Sequence, residues 1–153
     1  MCGIAGLAYA DPSQPVDRTL LGRMTDVMRH RGPDAGGLHV ARGVGLGHRR
    51  LSIIDLSTGQ QPMPNEDSSR WIIYNGEIFN HSDVRPELEA AGHRYRSHCD
   101  TETILHAYEQ YGPRALDRFR GMFAFVIWDP GARKLFCATP SRVAISPKFS
   151  NVR

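Results

Sequence analysis

The chain has 153 residues, enough for one domain with one sizeable core. Its 41% hydrophobic and 23% charged content is ordinary for a globular protein, and no apolar run approaches the ~20 residues of a membrane-spanning helix. A net charge of +3 and a pI near 9.0 raise nucleic-acid binding, but the basic residues are dispersed rather than clustered among aromatics, which argues against that class.

Residues 4–9 form a short apolar run with small residues interspersed, which predicts a buried strand near the N-terminus. Residues 11–15 read as a loop. From residue 16 to about 29, Leu20, Leu21, Met24, Val27 and Met28 recur at helical spacing, and the Arg31-Gly32-Pro33-Asp34 segment ends that helix. Residues 44–54 read as extended chain, followed by a loop through residues 57–62. Trp71-Ile72-Ile73-Tyr74 is strongly β-prone and is expected to stop at the turn-forming pair Asn75-Gly76. Helices are expected over residues 83–91, with Pro86 in the first turn, and over residues 101–111. Gly112-Pro113 breaks the second of these, and a short helix through Ala115, Leu116 and Phe119 follows. The nearly continuous apolar run 122–128 predicts a strand covered on both faces, and Asp129-Pro130-Gly131 turns it into a return strand over 134–138. Strands, intervening helices and strands again indicate an α+β fold with layered sheets.

The N-terminal residues lack the basic lead and long apolar stretch of a secretory signal, so the cytoplasm is the expected location. Cys2, Cys99 and Cys137 are odd in number and widely spaced, and the seven histidines show no ligand spacing. Neither a disulfide framework nor a metal is expected.

Cys2 carries the most chemical information. Removal of Met1 would leave its thiol beside a free α-amine, whose titration near ~7.7–8 suits it to accept the thiol proton. Such a nucleophile brings its own base. Asn75 and the Gly76 N–H are two donors suited to an oxyanion hole. Arg50 and Asp100 could hold the carboxylate and the ammonium of a free amino acid. Each has a plainer reading: a small core cysteine, a turn, an ordinary salt bridge, and a helix cap.

In order along the chain, several segments fit one family. These are Met1-Cys2-Gly3-Ile4-Ala5-Gly6, Arg29-His30-Arg31-Gly32-Pro33-Asp34, Gly47-His48-Arg49-Arg50-Leu51-Ser52-Ile53-Ile54-Asp55, Asn75-Gly76-Glu77-Ile78-Phe79-Asn80, Asp100-Thr101-Glu102-Thr103-Ile104-Leu105 and Gly121-Met122-Phe123-Ala124-Phe125. Together they resemble the class II glutamine amidotransferase domain of glutamine-hydrolysing asparagine synthetases, over residues 1 to about 138. The resemblance implies an N-terminal-nucleophile hydrolase fold, a four-layer αββα sandwich of antiparallel sheets. It implies that Cys2 attacks the side-chain amide of L-glutamine, releasing ammonia and then glutamate, with Asn75 and Gly76 as the oxyanion hole. Arg50 would take the substrate carboxylate and Asp100 its amino group, with Ile53, Ile54 and Glu77 completing the pocket. The stretch from His30 to Asp34 would shape the loop over the nucleophile.

Two departures qualify that expectation. Residues 139–153 do not resemble the family's continuation, so the amidotransferase domain is expected over 1–138, incomplete at its C-terminus, with an atypical tail that a frameshift or truncation would explain. No Ser-Gly-Gly-x-Asp-Ser nucleotide-binding loop is present, so ATP and Mg would belong to an absent synthetase domain and this domain is expected to need no cofactor. The expected partners are L-glutamine and a synthetase domain or chain, with no nucleic acid and no membrane. The alternatives are a catalytically silent or partner-dependent remnant, and a class II relative with another ammonia acceptor.

Overall fold

The structure, a computed structural model, describes residues 2–51, 59–140 and 142–145. Two antiparallel sheets face each other. The first has strand order β1-β3-β2, from β1 (Gly3–Ala8), β2 (Ala35–Ala41) and β3 (Val44–Arg50). The second has order β4-β5-β6-β7-β8, from β4 (Met63–Pro64), β5 (Trp71–Ile78), β6 (Gly121–Asp129), β7 (Lys134–Thr139) and β8 (Arg142–Ile145).

Side-chain alternation decides what each face meets. Val44 and Leu46 of β3 pack against Ile73, Trp128 and Leu135 of the second sheet, forming the core between the sheets. The alternate positions of the second sheet, Ile72, Tyr74, Phe125, Ile127 and Phe136, pack with Ile104 and Leu105 of helix α3 (Asp100–Tyr111). Helix α2 (His81–Ala90) and the 3-10 helix Gly112–Arg118 join α3 through Val84, Leu88, Ala107 and Ala115. Helix α1 (Arg18–Asp26) covers the outer face of the first sheet. Gly47 makes that approach feasible, because a Cβ there would lie 2.1 Å from Thr25 Oγ1. The order is therefore helix, sheet, sheet, helices, the four-layer αββα sandwich expected.

Several elements differ from their sequence-based expectation. Strand β5 does not stop at Asn75-Gly76. It runs on to Ile78, with Asn75 opposite Ala124 and Gly76 opposite Phe123. A Cβ on Gly76 would lie 2.2 Å from Met122 O, and its φ is +156°, so glycine serves close strand approach here rather than a turn. Strand β2 was not expected, because its alternation is blurred by Gly36 and Gly37 and six of its seven positions are only half-buried. The two-residue β4 is too short to leave a periodic signal. Helix α1 ends at Asp26, and Leu20 and Val27 are 41% and 75% exposed, so the apolar stripe is narrower than the spacing suggested. Thr25 is buried in their place, its hydroxyl donating to Leu21 O at 2.8 Å. Helix α2 starts at His81, which puts Pro86 in its interior. The apolar run of β6 is covered on both faces from Phe125 to Trp128, but Met122 at its start is 69% exposed.

Candidate active site

The site lies where the C-terminal end of β3 and the N-terminal end of β1 meet β5. Ile4 is opposite His48 and Gly3 opposite Arg49, so the register continued by one residue sets Cys2 across from Arg50. Cys2, Ile4, Leu46, His48 and Arg50 thereby share the face turned toward the second sheet.

Cys2 is half-buried, with Sγ 3.5 Å from the Leu51 N–H, which donates to it, and 3.9 Å from Leu51 O. Burial pushes the thiols of Cys99 and Cys137 up, which makes them poor nucleophiles. All three are free. The Arg31 Nε–H donates to Cys2 O at 3.2 Å, and the Asp34 N–H donates to Arg50 O at 3.1 Å. The 30–34 loop is thus held across the ends of both strands.

Asp100 opens α3 but does not cap it: the N-cap is Cys99. Its Oδ2 instead accepts from the Tyr74 hydroxyl at 2.6 Å and from the Ile78 N–H at 2.9 Å, tying the helix start to β5 on either side of Asn75 and Gly76. Burial and the Asp100 charge raise the Tyr74 phenol, so it remains a donor. Asn75 is half-buried on β5, on the same strand face as Ile73, and Gly76 and Glu77 are exposed near the strand end. The guanidinium of Arg50 lies beside Gly59. Ile53 and Ile54 lie outside the described residues.

Two residues without an expected role, His48 and Gln61, help build this site. His48 is 1% exposed, and its Nε2 contacts Tyr74 O at 3.1 Å, in the peptide that joins Tyr74 to Asn75. Burial depresses it to about 4, against the bond to Tyr74 and with help from the Arg50 charge. It is therefore neutral at pH 7, and its Nε2–H donates. Gln61 Oε1 accepts from the Tyr74 N–H at 2.6 Å, and its amide reaches Thr101 Oγ1 at 3.5 Å. Tyr74 is accordingly held through its N–H, carbonyl and hydroxyl at once. A crevice lined by Ala35, Gly36, His48, Arg50, Gln60 and Gln61 opens beside it. The signal for His48 was its even-numbered place with Arg50 on β3. Gln61 sits in a loop and left none.

A glutamine amidotransferase domain model matches residues 1–150. The chain belongs to the glutamine amidotransferase domain family. It is similar to asparagine synthetase [glutamine-hydrolyzing] 1 of Bacillus subtilis (strain 168), with 44% identity over 140 residues, 90% of this chain and 22% of that protein. It is also similar to asparagine synthetase [glutamine-hydrolyzing] 3 of Arabidopsis thaliana, with 41% identity over 150 residues, 97% of this chain and 25% of that protein. The chain spans about a quarter of the length of these relatives. Among solved structures it resembles the glutamine phosphoribosylpyrophosphate amidotransferase of B. subtilis complexed with ADP and GMP, at a TM-score of 0.61 and 18% identity, covering 90% of this chain and 36% of that one. That likeness shows a shared fold, the layered sandwich described above. No helix among the described residues is long and apolar enough to cross a membrane.

Proposed function

We propose that this domain hydrolyses the side-chain amide of L-glutamine, with Cys2 as nucleophile, and that the ammonia serves an asparagine-synthetase-type reaction on a synthetase domain or chain. The observation that carries the reading is the placement of the Cys2 sulfur beside the Leu51 N–H and across the strand pair from Arg50, in a member of this family.

In this reading the α-amine of Cys2, freed by loss of Met1, takes the thiol proton. The thiolate attacks the amide carbon, and the oxyanion is held by the Asn75 side chain and the Gly76 N–H. Collapse of the intermediate breaks the C–N bond, and the proton returns to the leaving nitrogen as ammonia departs. Water then attacks the thioester, regenerating the thiol and releasing glutamate. Arg50 holds the substrate α-carboxylate as a planar donor fork. Asp100 takes the α-ammonium through Oδ1, since Oδ2 already accepts two bonds that fix its direction. Glu77 lies at the exposed end of the same strand, toward the substrate's amino-acid head. The hydrolysis uses no metal and no cofactor.

Intact-mass measurement before and after exposure to a diazoketone analogue of glutamine tests the reading. The untreated mass reports whether Met1 is gone. A single adduct, blocked by excess glutamine and absent in Cys2→Ala, is the expected result. No adduct on Met-processed protein would favour a catalytically silent remnant.

A further inference from the structure

At the C-terminal half of α3, four residues from three segments converge. His106 and Glu109 lie one turn apart on α3, His93 comes from the connection between α2 and α3, and Glu66 from the turn between β4 and β5. One donor atom from each lies within 4.8 Å of all the others. His106 Nδ1 is 2.9 Å from Glu109 Oε2 and 3.4 Å from Glu66 Oε2, and His93 Nδ1 is 3.6 Å from Glu109 Oε2. A tetrahedral zinc ion with bonds of about 2.0–2.1 Å asks for donor separations of roughly 3.3 Å, so small side-chain adjustments suffice.

We propose that Glu66, His93, His106 and Glu109 form a closed divalent-metal site of the zinc type, which clips two connecting segments to α3. It is independent of the glutaminase reading. The spacing argument against a metal fails here because only the i, i+3 pair on α3 is local; Glu66 and His93 arrive through the fold.

Three observations carry the proposal. The donor set holds two carboxylates and two imidazoles, a combination suited to a divalent cation of the zinc type. Glu66 Oε2 is buried and accepts no hydrogen bond; among the described residues its one polar contact is the 3.4 Å ion-pair distance to His106 Nδ1, an atom it shares with Glu109. The outer atoms are already oriented, as metal ligands usually are. His93 Nε2 meets Gln110 Oε1 at 3.1 Å, which aims Nδ1 inward, and His106 Nε2 faces Glu102 Oε1 at 3.7 Å. Glu109 Oε1 is held by Asn65 and by Arg70, leaving Oε2 for the cluster. The Glu66 backbone is fixed by Arg96, whose guanidinium donates to Glu66 O at 2.6 Å.

A proton on His106 is the competing occupant. Burial opposes that proton, yet bonds to Glu102 and Glu109 and the Glu66 charge push His106 up to about 9. The test is calorimetric titration of the chelator-stripped full chain with Zn²⁺ alone, repeated in Cys2→Ser, Glu66→Gln and His93→Gln. The proposal expects one ion per chain, binding unchanged in Cys2→Ser, and at least a 100-fold loss of affinity in Glu66→Gln and His93→Gln. Thermal unfolding in chelator checks that these two partly exposed substitutions leave the fold intact, and added Zn²⁺ should raise the midpoint of the unsubstituted chain and of Cys2→Ser but not of Glu66→Gln or His93→Gln. Absence of binding, or equal binding by the Glu66→Gln and His93→Gln chains, would overturn the site and leave His106 a protonated core cation.

Discussion

At Gly76 and His48 a single atom decides what the backbone may do. Replacing Gly76 by Ala puts a methyl 2.2 Å from Met122 O, inside a paired strand that cannot simply move away. Gly76→Ala is expected to cost roughly 2–4 kcal/mol of stability and to abolish glutamine turnover, read by urea unfolding and by ammonia release. His48 makes a pH prediction. Its folded value of about 4 lies below the ordinary histidine value of 6.5, so between these two the unfolded chain binds more protons. The stability it contributes is fully present above about pH 6.5 and is lost as pH falls toward 4, on the order of 3 kcal/mol in all. Unfolding free energies measured across that window should flatten in His48→Gln, whose side chain does not titrate. An unchanged slope would mean that another group carries the acid sensitivity.

At the scale of elements, the hydrogen bonds that join α3 to β5 run through one carboxylate. Asp100→Asn keeps an acceptor for Tyr74 and Ile78 but removes the charge offered to a substrate ammonium. The expected result is a rise in KM of about 10- to 100-fold, with little change in the unfolding midpoint. Steady-state kinetics beside a melting curve would separate that from a structural role, which would move both. Helix α1 begins with Asp17, whose Oδ1 accepts from the Thr19 and Leu20 N–H groups at 2.8 and 3.1 Å. Asp17→Ala should cost about 1 kcal/mol and leave turnover unaffected, because α1 packs on the outer face of the first sheet.

For the whole molecule, the second sheet has a core on each face, so its central strands carry much of the stability. Phe125 is 2% exposed and stacks within a cluster that includes Phe123 and Phe136. Phe125→Ala is expected to lower stability by about 3–5 kcal/mol, seen as a large drop in the urea midpoint. The same sandwich sets where chemistry can sit. The inner face of the first sheet presents Cys2, His48 and Arg50 toward β5, and the outer helices of the second sheet present Asp100 from below.

The sequence by itself determined the α+β class, the main strands and helices, and the family, because hydrophobic period and ordered local motifs are written in neighbouring residues. It also singled out Cys2, Arg50, Asn75, Gly76, Glu77 and Asp100 as candidates. What it left open depended on pairing between distant segments. The passage of β5 through Asn75-Gly76 follows from the partner strand β6, since Asn-Gly alone favours a turn. Asp100 ties strand to helix rather than capping only because Tyr74 and Ile78 arrive from residues far along the chain. His48 looked like one of several basic residues until burial between the sheets made it neutral. The convergence of Glu66, His93, His106 and Glu109 was likewise a product of packing, because donor spacing along the chain reports only ligands on one local element.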